Sequence, residues 1–183
     1  MSTLNHVAIE PDTKDWTWIL DRTCPECGYD AASIQREAIA ERTRRRALQW
    51  SEVVTGPARI ITQRPKEDLW SPLEYACHIA DVFDIMHYRI GLLLAHDNPE
   101  FPNWDQDQTA IENDYATHDP LDVGKRLADR GNRLADLIAP VHGTQWDRSG
   151  RRDNGSRFTV ESISRYMLHD VEHHLWDIGE PLT

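Results

Sequence analysis

The stretch WSPLEYACHIADVFDIMHYRIGLLLAH, residues 70–96, constrains the fold more than any other part of the chain. Ser71 has the character of an N-cap, and Pro72 fits the first helical position, where its missing N–H is not needed. The run stays rich in apolar residues to about His96, where DNPEFPNW breaks it. A helix with a broad apolar face needs others to cover it. The sequence offers three. One is predicted over about 31–54, made of good helix formers and stopped by Gly56-Pro57. Another is PLDVGKRLADRGNRLADLIA, residues 120–139, ended by Pro140. The last begins near FTVES, with Thr159 and Ser162 as caps, and ends near Gly179-Glu180-Pro181. Segment 101–119 reads as loop with a short helix around TAIENDYA, and WDRSGRRDNGSR (146–157) reads as loop. Only PARIITQRP (57–65) carries a weak strand signal. These features predict an all-α four-helix bundle with a long crossover between its second and third helices. Residues 1–30 read as an irregular arm and 31–183 as the bundle domain.

Composition narrows the function. The formal net charge of −11 argues against a nucleic-acid partner, whose phosphates need a positive face. The local run RTRRR (42–46) is expected to be a solvated helix face. No apolar run approaches a membrane span, and the N-terminus lacks the basic and apolar regions of a secretory signal, so a cytoplasmic location is expected. The three cysteines do not suggest a secreted disulfide framework.

The last helix carries RYMLHDVEHHLWDIGE, residues 165–180, with three histidines in six positions. Helical rotation of about 100° per residue sorts them. With His174 at zero, Val160, Ile163, Met167, Val171 and Ile178 lie within roughly 60° of it. Asp170 falls about 40° away, while His173 and His169 fall about 100° and 140° away. Asp170 and His174 should therefore face inward, and His169 and His173 outward. On the second helix, His78 lies at the edge of the apolar face beside Tyr75 and Val82, and Cys77 turns towards the polar side.

His78, Asp170 and His174 can then meet inside the bundle, where facing helices build metal sites. Two nitrogens and one carboxylate oxygen suit Zn²⁺, Ni²⁺, Fe²⁺ or Mn²⁺, and three protein ligands leave positions open. The same triad can instead be structural, with Asp170 serving His174 as a hydrogen-bond partner. His169 and His173 are the second-choice ligand pair. CPEC, holding Cys24 and Cys27, is half a zinc site. It is to be completed by histidines or a second subunit, or it is a redox pair, or it is two plain thiols.

His78-Ile79-Ala80-Asp81 resembles the first signature of the DinB superfamily, and HHLWDI at the chain's end resembles the second. The resemblance implies a four-helix bundle with a long crossover, and a divalent metal held by a histidine on the second helix and a His-x₃-His pair on the last. Carried over, the ligands fall on His78, His174 and Asp170. Most relatives have histidine at the last position, and some thiol-dependent ones, such as the mycothiol-dependent maleylpyruvate isomerases, have glutamate. The resemblance further implies a small-molecule substrate and S-transfer from a low-molecular-weight thiol such as bacillithiol or mycothiol. A metal-dependent hydrolase and a non-catalytic, stress-related binding module remain alternatives. No residue is assigned a catalytic role from sequence.

Trp104, Asp105 and Asp107 in the crossover are candidates for the mouth of a substrate pocket. Arg148, Arg151 and Arg152 are candidates for binding a carboxylate near the start of the last helix. Trp176, on that helix's polar side, points to a homodimer contact or to cover by the arm.

Overall fold

The computed structural model describes residues 14–182; the first thirteen positions of the predicted arm lie outside them. The arm contains three short 3₁₀ turns, Trp16–Leu20, Ala31–Ser33 and Arg36–Ala38. There follow α1 (Ile39–Val53), α2 (Ala58–Ile61), α3 (Pro72–Ala95), β1 (Glu100–Phe101), α4 (Gln106–Glu112), α5 (Pro120–Ile138), β2 (Ser149–Arg152), β3 (Arg157–Thr159) and α6 (Val160–Asp177). The four long helices form the bundle. α5 packs between α1 and α3, and α6 closes the ring between α3 and α1. The α3–α5 connection is the predicted crossover, and it carries β1 and α4.

Local chemistry explains the boundaries. Ser71 accepts from the Glu74 N–H at 3.3 Å, and Glu74 accepts from the Ser71 N–H at 2.8 Å, a complete capping box at the start of α3. Asp119 caps α5 by accepting from Leu121 and Asp122 N–H groups, and Thr159 caps α6. α1 starts at Ile39 rather than 31, because Asp30 accepts from the Ala32 N–H and Ile34 is extended, which holds residues 31–38 in 3₁₀ turns. α4 begins earlier than expected because Asp105 is its N-cap, and it ends before Asp114, whose φ is +46°.

The strand expectation over 57–65 is overturned: Ala58–Ile61 is a helical turn. The small sheet lies elsewhere, in segments read as loop. β1 pairs parallel with β2, Glu100 opposite Arg151, and β2 pairs antiparallel with β3, Ser149 opposite Thr159. Gly155, at φ +97°, makes the tight turn of that hairpin.

The run 42–46 is also corrected. Arg46 is buried and donates through Nε to Glu172 Oε1 at 2.9 Å, while Arg42 makes two bonds to the same carboxylate at 2.6 and 2.7 Å. Arg44 pairs with Asp136 of α5. Arg42, Arg44 and Arg46 thus join α1 to α5 and α6, while Arg45 is exposed as expected. Cys77, placed by its phase on the polar side, is buried beneath the crossover, with its sulfur 3.4 Å from His118 Nδ1. Asp81 of the HIAD sequence accepts from Tyr115 Oη and from Arg130 Nη1, both at 2.6 Å, and so binds the crossover and α5 to α3.

Among the described residues, no helix is long and apolar enough to cross a membrane.

Candidate metal centre

α6 is covered on two faces. Val160, Ile163, Met167 and Val171 enter the bundle core, as its periodicity predicts. His169 and His173 do not face water, however. They are only 4% and 7% exposed, because the arm lies over them: the Trp16 ring is 5.5 Å from His169 and 5.2 Å from His173, and Tyr29 meets His169 edge-on at 5.3 Å. The expectation that this pair faces outward fails for that reason. Helical phase locates the bundle core but cannot see a segment from 140 residues earlier in the chain. Trp176 remains 45% exposed, with its ring 5.6 Å from that of His173.

His78, Asp170 and His174 come together between α3 and α6, with one ligand atom of each within 4.8 Å of the others. His174 Nε2 lies 3.1 Å from Asp170 Oδ1, and His78 Nε2 lies 3.5 Å from the same oxygen. His174 Nδ1 is held by Asp177 Oδ2 at 2.7 Å, which turns Nε2 towards the cluster. Asp177 was missed from sequence, although its position three residues after His174 on one helix was the available signal. Aromatic rings wall the site. Trp104 stacks on His78 with centroids 5.5 Å apart and planes 4° apart, Trp70 lies 5.4 Å from His78, and Tyr75 lies 4.7 Å from His174.

Electrostatics keep the centre charged. Burial opposes the Asp170 charge, but His78 and the hydrogen bonds from His174 and His78 outweigh it and hold the carboxyl well below the usual carboxylate range. Burial likewise opposes a charged His174, yet its bonds to Asp170 and Asp177 prevail and raise its pKa to about 9. His169 behaves oppositely: burial, then the neighbouring His173, push it down to about 4.

The donor set fits a divalent metal. Among the described residues, the fully buried His78 has no hydrogen-bond partner at Nδ1 and only the long contact to Asp170 at Nε2. A buried imidazole so poorly satisfied is costly unless something else binds it. A cation held by the two Nε2 atoms and the Asp170 oxygen would give His78 Nε2 a full partner, with a carboxylate already behind His174 to orient it.

A cavity of about 320 Å³ opens onto Asp170 and His174. Its wall also includes Trp70, Tyr75, Asp107 and Asp177. Of the crossover candidates, Asp107 lines this cavity, Trp104 backs His78, and Asp105 serves as the cap of α4. The arginine candidates are corrected, since none of the three lines it. Arg148 donates to the Leu93 and His96 carbonyls at the end of α3, at 2.7 and 2.6 Å. Arg151 bonds Glu100 at 2.8 Å, and Arg152 bonds Asn154 and Ser156 within the hairpin. These guanidiniums are engaged at the end of α3, on β1 and within the hairpin.

Comparison with known proteins identifies the family and the fold. The model of the DinB superfamily matches residues 39–178. This chain belongs to the DinB superfamily. Among its relatives is a protein of Oceanobacillus iheyensis named "Putative metal-dependent hydrolase OB0413", 29% identical over 120 residues, which cover 64% of this chain and 68% of the relative. The fold resembles that of YfiT from Bacillus subtilis, described as "a probable metal-dependent hydrolase with an unusual four-helix bundle topology". The TM-score is 0.65 at 19% identity, over 78% of this chain and 83% of YfiT. In this DinB-superfamily chain, the HIAD histidine and the last helix's Asp170 and His174 are thus the residues brought to one centre, while Cys24, Cys27, His169 and His173 gather separately.

Proposed function

We propose that this DinB-superfamily chain is a divalent-metal-dependent hydrolase of a small neutral or cationic substrate, with His78, Asp170 and His174 as the metal ligands. The observation that carries the reading is the convergence of these three side chains, with Asp170 and His174 at the wall of an acid-lined cavity. Glu26, Asp68, Asp107, Asp170 and Asp177 line it, against Lys14 and the His174 imidazole, whose pKa is raised to about 9. Such a wall disfavours an anionic substrate. The names of the relatives support the same class of chemistry. Zn²⁺, Ni²⁺, Fe²⁺ or Mn²⁺ all suit the donor set.

The metal, when bound, supplies Lewis-acid polarisation and lowers the pKa of water. The chain's own residues do the remainder. Asp170 keeps a full negative charge within the site. Asp177 fixes the orientation of His174. Trp70 and Trp104 shut solvent away from His78, which strengthens every electrostatic contact there. Tyr75 borders the cavity, and its burial raises the phenol pKa, so the hydroxyl stays protonated at neutral pH.

A second reading, thiol S-transfer, is favoured by one feature: the carboxylate at Asp170, where the resemblance to thiol-dependent relatives implies an acidic ligand. In that case the acid-lined wall calls for a thiol without carboxylates. Both readings are tested by offering metal-loaded protein a panel of esters, amides and lactones, and in parallel an electrophile with added thiol. Hydrolysis that rises with metal loading and vanishes in Asp170→Ala supports the first reading. Conjugation without hydrolysis replaces it with the second. Neither reaction across all four metals overturns both.

A further inference from the structure

We propose that Cys24, Cys27, His169 and His173 form a second, structural zinc site that fastens the N-terminal arm to α6. None of these four side chains is a ligand of the metal centre described above, although His169 and His173 also line its cavity. One ligand atom of each lies within 4.8 Å of the others. Tetrahedral zinc with bonds of about 2.0–2.3 Å places its ligand atoms about 3.3–3.8 Å apart, so the cluster needs to contract by at most about 1.5 Å. The spacing is C-x₂-C in a turn and H-x₃-H on a helix, which is that of a Cys₂His₂ zinc site.

The local geometry is prepared for this. Gly28, at φ +74°, lets the chain reverse after Cys27. The Gly28 N–H donates to Cys24 O at 2.9 Å and the Cys24 N–H to Tyr29 O at 2.8 Å, so both cysteines sit in one tight turn. Tyr29 then donates to the Arg165 carbonyl of α6 at 2.6 Å, which seats that turn over the helix. His173 turns Nδ1 towards Cys24 Sγ at 3.8 Å, while its Nε2 lies 3.3 Å from Glu26 and 3.7 Å from Asp177. A carboxylate behind a ligating imidazole is the usual way a zinc-binding histidine is oriented.

The fourth observation separates zinc from a disulfide. Among the described residues, the buried His169 Nε2 has no hydrogen-bond partner. A Cys24–Cys27 bond would leave that nitrogen as it is. A metal at the centre of the four gives it a partner and satisfies the whole cluster. Binding releases the two thiol protons to solvent, leaving two thiolates and two neutral imidazoles around Zn²⁺. With four protein ligands the site is closed, which makes it structural, in contrast to the three-ligand centre on the neighbouring face of α6.

The test uses the full chain, reduced and reconstituted with Zn²⁺ or Co²⁺. Wild type should carry two equivalents of zinc, and the variant Asp170→Ala/His174→Ala should keep one. With Co²⁺, both should show a near-ultraviolet thiolate-to-metal charge-transfer band, and Cys27→Ser should lose it. Should Cys27→Ser fail to fold, the cobalt spectrum of wild type decides alone. Absence of that band from folded, reduced wild type overturns the proposal. So does equal reactivity of Cys24 and Cys27 towards iodoacetamide with and without zinc.

Discussion

Asp177 Oδ2 lies 2.7 Å from His174 Nδ1, and this contact leaves His174 Nε2 directed at Asp170, 3.1 Å away. The partner behind a metal-binding imidazole fixes its tautomer and its direction. Asp177→Ala should therefore weaken metal binding by about 10–100-fold without removing a ligand. Isothermal titration of metal-free protein reads this directly. A variant that binds as tightly as wild type would show that the contact is incidental.

The α1–α6 ion cluster should dominate the stability of the bundle. Glu172 is buried and accepts from Arg42 and Arg46. Removing one partner of a buried pair strands the other, at a cost of about 3–5 kcal/mol. Glu172→Ala should lower unfolding stability by that amount in urea. A loss under about 1 kcal/mol would mean that the arginines find water instead.

Gly131 marks the closest helix approach. A Cβ there would stand 2.2 Å from Ala47 Cβ and 3.2 Å from the Phe83 ring. Gly131→Ala should therefore destabilise by about 1–3 kcal/mol through overpacking, although alanine is the better helix former. Thermal unfolding checks the sign. A stabilised variant would contradict the packing of α1 on α5.

The α3 cap should contribute to acid sensitivity. Burial opposes the Glu74 charge, but hydrogen bonds from Arg64 and the Ser71 N–H outweigh it and hold the carboxyl below its ordinary value of 4.5. The folded pKa is thus the lower one. The stability that Glu74 contributes is fully present above 4.5 and is lost as pH falls through the folded value. Urea midpoints measured downward from neutral pH should fall less steeply in Glu74→Gln than in wild type. Identical acid limbs would exclude this group.

The bundle was legible because its signals are local: the Ser71-Pro72 start, the period of α6 and the Pro140 stop each act within a few residues. His78, Asp170 and His174 could be paired for the same reason, since rotation about a helix is fixed by spacing. What escaped depends on distant segments. Nothing near His169 shows that Trp16 and Cys24 will cover it, and nothing near Arg46 shows that Glu172, 126 residues on, will accept its charge. The Arg148 and Arg151 side chains looked available because the segment that carries them has few β-branched residues and reads as a loop, while their partners lie at the end of α3 and in β1.

Metal content of point variants tests the central assignment most directly. His78→Ala, Asp170→Ala and His174→Ala, each confirmed as folded by circular dichroism and loaded with Zn²⁺, should each carry one equivalent less than wild type. His96→Ala, which alters an exposed imidazole at the end of α3, should match wild type. Metal content in the three ligand variants equal to that of His96→Ala would contradict the assignment of His78, Asp170 and His174 as a metal centre.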